Sequence, residues 1–225
     1  MEYQNTLPAI FLSRKNRFAA TVLLDGKEET VHVKNTGRLG ELLTPGADVI
    51  LQDCAAENRK TRYDLICVRK PELGWINIDS QATNKVMLDW LQDNGFSVIR
   101  PEYRHGNSRL DFYAEKDGEK YLIEVKGCTL ECDGVGYFPD APSERAVRHL
   151  KELMKAKQEG YRAVIAFVIA TPQVTKVLPY EKNDPAFAAA FRRALEAGVE
   201  VWYLPCSVTE SSLTVESCLT DNKKA

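Results

Sequence analysis

The sequence predicts a mixed α/β protein: an OB-type β-barrel over residues 1–80, then an α/β domain over residues 81–225 built on a central mixed sheet. Three observations carry this. The first third consists of short apolar runs broken by tight-turn dipeptides, with almost no helical periodicity. Near residue 80 apolar residues begin to recur at helical spacing. Beyond that point helices and strands alternate.

The elements follow in order. Phe18 to Leu24 reads as a strand, and Asp25-Gly26 is a strong hairpin signal. Thr30 to Val33 resumes the strand pattern, and Asn35-Thr36-Gly37 is a turn. Pro45-Gly46 is another turn, followed by strands at Asp48 to Gln52 and Arg62 to Val68. Short strands at close spacing with no helix between them suggest a small barrel. Gln81 to Asn94 carries Val86, Leu88, Trp90 and Leu91 and stops at Gly95, which predicts a helix. Ser97 to Arg100 is a strand, and Arg109 to Glu115 pairs with Lys120 to Gly127 across Asp117-Gly118. Ser143 to Glu159 is a charged amphipathic helix. Arg162 to Ala170 is a near-continuous apolar run, the mark of a buried strand. Asp184-Pro185 opens a helix to Ala197, with proline at its first position, and Val199 to Leu204 is a last buried strand.

Composition excludes some classes. Net charge is −2, so no general basic character announces a nucleic-acid partner, and any such binding must come from a local basic face. Six cysteines form no CxxC pair, and none of the three histidines has zinc-finger spacing. No signal peptide is visible, and no stretch reaches the ~18 apolar residues of a membrane span. A cytoplasmic protein with reduced thiols is expected, with no membrane partner.

The hairpin concentrates the chemistry. With Asp117-Gly118 as the loop, Lys116 faces Glu119, Phe112 faces Ile123, Asp111 faces Glu124 and Arg109 faces Lys126. Side chains alternate with period two, so Arg109, Asp111, Glu124 and Lys126 are expected on one face, and Leu110, Phe112, Ile123 and Val125 on the other. Directly opposed carboxylates repel, unless a hard divalent cation sits between them. Mg²⁺ (or Mn²⁺) prefers one or two carboxylates, water and a substrate phosphate. Lys126 is then placed to orient a water or to meet developing charge. The alternative is a surface hairpin whose two acids and two bases cancel.

Asp111 followed by Glu124-Val125-Lys126 resembles the PD-(D/E)XK nuclease superfamily, with Leu110 standing where that motif has proline. A wider similarity covers nearly the whole chain. It rests on Asn35-Thr36-Gly37-Arg38, Pro45-Gly46, Asn58-Arg59-Lys60-Thr61-Arg62, Trp75-Ile76-Asn77, Asn84, and Ser108-Arg109-Leu110-Asp111-Phe112. Glu124-Val125-Lys126, Phe138-Pro139-Asp140-Ala141, Arg145 and His149-Leu150 continue it. On these residues the chain resembles the sugar fermentation stimulation protein A (SfsA) family. The resemblance implies an N-terminal OB fold, a C-terminal nuclease-like domain, DNA binding, a cytoplasmic setting and a role in regulating sugar metabolism. It also implies a further metal-binding acid on the preceding helix, where Asp89 stands in place of the more usual Glu. Glu102 is a second candidate.

Basic residues complete the expected site. Arg59, Lys60 and Arg62 form a basic turn beside Tyr63, with Trp75 further on, as in barrels that bind single strands. Arg38 follows a turn able to hold phosphate. Arg145, Arg148, His149 and Lys151 lie on one helix, Arg145 and His149 on one face of it. Solvated loops and helix faces are the alternatives for each. DNA contacts are therefore expected from Arg38, Arg59, Lys60, Arg62, Arg109 and Arg145. Two functions follow: a Mg²⁺-dependent phosphodiesterase with Asp111, Glu124 and Lys126 as its centre and Asp89 as a further metal ligand, or a DNA-binding regulator without turnover. RNA binding through the barrel is a third.

Overall fold

The computed structural model describes residues 1–55, 59–106 and 108–221; Asn58 of the family resemblance lies outside them. Six strands come first: β1 (Thr6–Asn16), β2 (Ala19–Leu24), β3 (Lys27–Val33), β4 (Asp48–Asp53), β5 (Tyr63–Lys70) and β6 (Gly74–Asn77). They run in the order β3-β2-β1-β4-β5-β6, and a parallel β3–β5 contact (His32↔Asp64, Val33↔Leu65) closes the first five into an OB barrel. Asp25 and Gly26 both adopt positive φ, as the β2–β3 hairpin turn requires. Phe11, Val22, Val31, Leu51, Leu65 and Ile76 fill the barrel. Strand β1 was not among the sequence-predicted strands.

The remainder is α1 (Ala82–Asp93), β7 (Val98–His105), β8 (Ser108–Lys116), β9 (Glu119–Cys128), β10 (Glu131–Cys132), β11 (Val135–Phe138), α2 (Glu144–Gln158), β12 (Arg162–Ile169), β13 (Val177–Pro179), α3 (Pro185–Glu196), β14 (Glu200–Val208), β15 (Leu213–Val215) and β16 (Leu219–Thr220). The main sheet runs β15-β14-β12-β9-β8-β7, with β16 also on β14. It is mixed: β12 is parallel to β9 and β14, while β8 is antiparallel to both of its neighbours, β7 and β9. Helices α2 and α3 cover one face through Leu150, Leu153, Phe187 and Phe191 packed on Leu122, Ile165 and Phe167. Asp184 caps α3, its side chain accepting from the Phe187 amide at 2.9 Å, with Pro185 at the first turn.

The other face is covered by α1 and by the outside of the barrel. Ile50, Ile66 and Cys67 join one apolar cluster with Met87, Phe112, Ile123 and Trp202. The first residues tie the halves together. The Tyr3 amide donates to the Ser211 carbonyl at 2.7 Å, and its buried hydroxyl meets Asn77 and Asp79. Among the described residues no helix is long and apolar enough to cross a membrane.

Candidate functional site

The β8–β9 hairpin holds the predicted register from Lys116↔Glu119 to Phe112↔Ile123. There the ladder ends. The expected Asp111–Glu124 and Arg109–Lys126 pairs do not form, because the strands fork. The Asp111 carboxylate occupies the fork instead: Oδ2 accepts from the Val125 amide at 2.8 Å and Oδ1 from Asn84 Nδ2 of α1 at 2.9 Å. The alternation breaks at the same place. Phe112, Ile123 and Val125 pack under α1, but Leu110 turns to the α2–α3 face.

Glu124 is 2 % exposed and points towards α2. Its Oε1 accepts from both Lys126 Nζ and His149 Nδ1. A carboxylate oxygen only accepts, so Nδ1 carries the proton. Oε2 is buried and has no protein partner. Burial would raise the pKa of Glu124, but the hydrogen bond from His149 and the Lys126 ammonium hold it below the ordinary value. Asp111 goes the other way. Burial and the charge of Glu124 raise its pKa, and its contacts with Val125, Asn84 and Lys126 only partly compensate.

These side chains face a cleft of about 690 Å³ between the two halves of the molecule. The barrel contributes Arg17 and the 35–38 loop; α1 contributes Thr83 and Asn84; the 137–143 segment and Arg145 form another side. Arg14 organises the barrel loop, donating to the carbonyls of Asn35 and Gly37 at 2.9 Å and of Arg38 at 2.5 Å. The Arg38 amide donates to Asp140 Oδ2 at 2.8 Å. Gly37 makes this approach possible, since a Cβ there would lie 2.6 Å from the same Asp140 oxygen.

The predicted residues divide accordingly. Asp111, Glu124, Lys126, Arg38 and Arg145 line the cleft. Asp89 does not: it lies on another side of α1, 3.3 Å from the Met1 ammonium. It follows Asn84 by five residues, roughly 140° around the helix, so the helix face at the site presents Asn84 instead. Glu102 is 3.5 Å from Arg109, and both side chains are more than 60 % exposed, so neither reaches the cleft. Arg62 is bound to Asp53 on the surface, and Arg59 and Lys60 line a separate cavity. His149, expected only as part of a basic helix face, is 5 % exposed and bound to Glu124. Its place one turn from Arg145 and its part in the family resemblance were its signals in the sequence.

A divalent cation fits this chemistry. Glu124 Oε2 is an unused buried acceptor, and Asp111 is a carboxyl whose ionised form is disfavoured by burial and by its neighbour. Among the described residues no group of three or more His, Cys, Asp or Glu side chains converges as a metal cage. An ion held by two carboxylates would complete its shell with water and phosphate, the habit of Mg²⁺.

Comparison with known proteins gives concordant results over both halves. Residues 12–78 match the family model described as the SfsA N-terminal OB domain, and residues 80–212 that of the sugar fermentation stimulation protein RE domain. A sugar fermentation stimulation protein homolog of Desulfitobacterium hafniense (strain Y51) is 49% identical over 216 residues, covering 95% of this chain and 94% of its own. A homolog from Ruminiclostridium cellulolyticum is 44% identical over 220 residues, covering 96% and 97%. The solved structure of Pyrococcus furiosus SfsA in complex with Ca²⁺ superposes with a TM-score of 0.84 at 34% identity, covering 98% of this chain and 95% of that one.

Proposed function

Given that the chain belongs to the sugar fermentation stimulation protein family, we propose that it acts on DNA as a divalent-cation-dependent phosphodiesterase centred on Asp111, Glu124 and Lys126. The observation that carries this reading is the buried, unpartnered Oε2 of Glu124, a residue that lines the same cleft as Asp111. Burial without a partner costs free energy, which a bound ligand would recover.

Asp111 and Glu124 are the residues to hold Mg²⁺ or Mn²⁺. Such an ion neutralises phosphate charge and acidifies an attacking water. The Ca²⁺ named for the P. furiosus relative agrees with an affinity for hard divalent cations. The protein's own groups do the rest. His149 fixes the rotamer of Glu124 by donating to Oε1. Lys126 holds an ammonium beside that carboxylate, where it orients the water or meets charge developing in the transition state. Asn84 and the Val125 amide pin Asp111. Arg17, Arg38 and Arg145 offer phosphate contacts around the cleft. Six free cysteines accord with a reducing cytoplasm.

A DNA-binding regulator of sugar metabolism without turnover is the second reading, favoured by the lack of a third ligating side chain among the described residues. Incubation with single- and double-stranded DNA plus Mg²⁺ or Mn²⁺ separates the two. Cleavage is expected, reduced on the order of 10²–10³-fold or more by Asp111→Asn and by Glu124→Gln. Cleavage at the wild-type rate by Asp111→Asn would place the chemistry elsewhere, and no cleavage under any condition would leave the regulator.

A further inference from the structure

The barrel carries a basic hollow, and it adjoins the cleft. It measures about 540 Å³ and is lined by His32, Lys34, Arg59, Lys60, Asp64 and Gln81, among others. The two spaces share a wall. Lys34 and Gln81 line the barrel hollow, while their chain neighbours Asn35 and Ser80 line the cleft. The Ser80 amide donates to the Lys34 carbonyl at 3.1 Å, closing the wall. The Lys34 ammonium spans it, 3.2 Å from Asp64 on the barrel side and 2.7 Å from the cleft-lining Asp79. Arg59 is also held by Asp64. Lys60 is exposed and has no acidic partner among the described residues.

An exposed aromatic residue sits in the chain between residues associated with these two spaces. Phe18, on the β1–β2 turn, is 53% exposed, the most exposed large hydrophobic residue described and the one aromatic among the exposed ones. Its backbone is fixed at both ends: the amide donates to Asn16 Oδ1 at 2.8 Å, and the carbonyl accepts from the Val33 amide at 2.9 Å. Its predecessor Arg17 lines the cleft. Its successor Ala19 pairs with His32, which lines the barrel hollow. Phe18 is therefore flanked in sequence by a residue that lines the cleft and by one whose strand partner lines the hollow.

We infer that cleft, Phe18 and barrel hollow form one continuous track for single-stranded DNA, with a backbone phosphate at Lys60 and a base stacked on Phe18. The substrate class follows from the ring. A duplex keeps its bases stacked on each other, whereas a single strand offers a free π-face at every nucleotide, and an exposed ring beside a basic groove is the arrangement that takes it. The inference deepens the proposed function, since the strand would lead to Asp111 and Glu124, but its test does not require cleavage.

Binding is measured by fluorescence anisotropy in EDTA with a labelled 20-nucleotide oligo-dT and a 20-base-pair duplex. Wild type is expected to bind the oligo-dT at least tenfold more tightly. Phe18→Ala should weaken oligo-dT binding about tenfold, the loss of one base stack, and leave duplex binding within twofold. Lys60→Ala should lower the slope of log affinity against log salt by about 0.7 for the single strand. Both residues are exposed, so the variants fold, and Arg192→Ala on α3 serves as a neutral control. Unchanged oligo-dT binding in Phe18→Ala, or equal loss on the duplex, overturns the track even if the protein cuts DNA. A selective loss on oligo-dT sustains it even if the protein cuts nothing.

Discussion

Asp64 in the barrel and Asp111 in the sheet are the same side chain under opposite management. Asp64 is 2% exposed and meets Lys34, Arg59 and the Cys54 thiol. Burial pushes its pKa up, but these donors outweigh burial and leave it below the usual carboxylate value. Asp111 is buried, with neutral donors and a second carboxylate for a neighbour; the Lys126 charge compensates only in part, and its pKa is raised. One arrangement is complete as it stands. The other stays electrostatically short of a cation, which is the condition expected at a site that waits for a ligand.

The largest difference should appear on removing each charge. Asp64→Asn leaves Arg59 without its carboxylate and Lys34 with Asp79 alone, and is expected to cost about 3 kcal/mol in urea denaturation while sparing the cleft. The pH dependence has a definite sign. The folded pKa of Asp64 is depressed, so its contribution is present above the unfolded value near pH ~3.9 and is lost as pH falls through the lower folded one. The wild type should therefore lose stability more steeply below about pH 4 than Asp64→Asn does. Equal acid limbs would mean that the Asp64 cluster does not stabilise the fold.

Divalent metal should act only on the other member of the comparison. At a Mg²⁺ concentration about 100 times its dissociation constant, the linkage is worth about 2.7 kcal/mol, a melting rise of roughly 5–10 °C for a chain of this size. Asp111→Asn should show no rise, and Asp64→Asn should show the full one. If both respond alike, the ion binds elsewhere.

Gly37→Ala tests the wall that joins the regions. The added methyl meets the Asp140 carboxylate and should cost about 2 kcal/mol while displacing Arg38 from the cleft. A variant with wild-type stability and DNA affinity would show that the loop contact is dispensable. The smallest effect belongs to Arg62→Ala. Its pair with Asp53 is solvent-exposed, so a change of less than about 1 kcal/mol is expected by the same denaturation.

Local rules made much of this legible. Asp117 and Gly118 both take positive φ, and a two-residue turn dictates the pairing of the residues nearest to it. The same rule fails at Asp111, because a side chain there takes over a backbone acceptor's place, which no period-two pattern anticipates. Strand β1 escaped because Pro8 interrupts an apolar run that ends in Ser13-Arg14-Lys15-Asn16, and a proline demotes a strand on sequence grounds. His149 looked like one basic residue among several; its partner lies 25 positions away and meets it only when α2 packs on β9. Asp89 was drawn in by the family resemblance, while the helical angle that turns it away becomes decisive only once Asn84 is seen to face the site.

The hook at Tyr3 has a consequence for synthesis. Its amide partner, the Ser211 carbonyl, leaves the ribosome about 200 residues later. At ~5–20 residues per second that delay is roughly 10–40 s. The barrel strands emerge early enough to pair in that interval, and so do Asn77 and Asp79, the partners of the Tyr3 hydroxyl, whereas the Tyr3 amide stays without its partner throughout it. Translation therefore completes this hook last, so a chain stalled before residue 211 carries the barrel and every residue that lines the cleft but lacks the Tyr3–Ser211 tie.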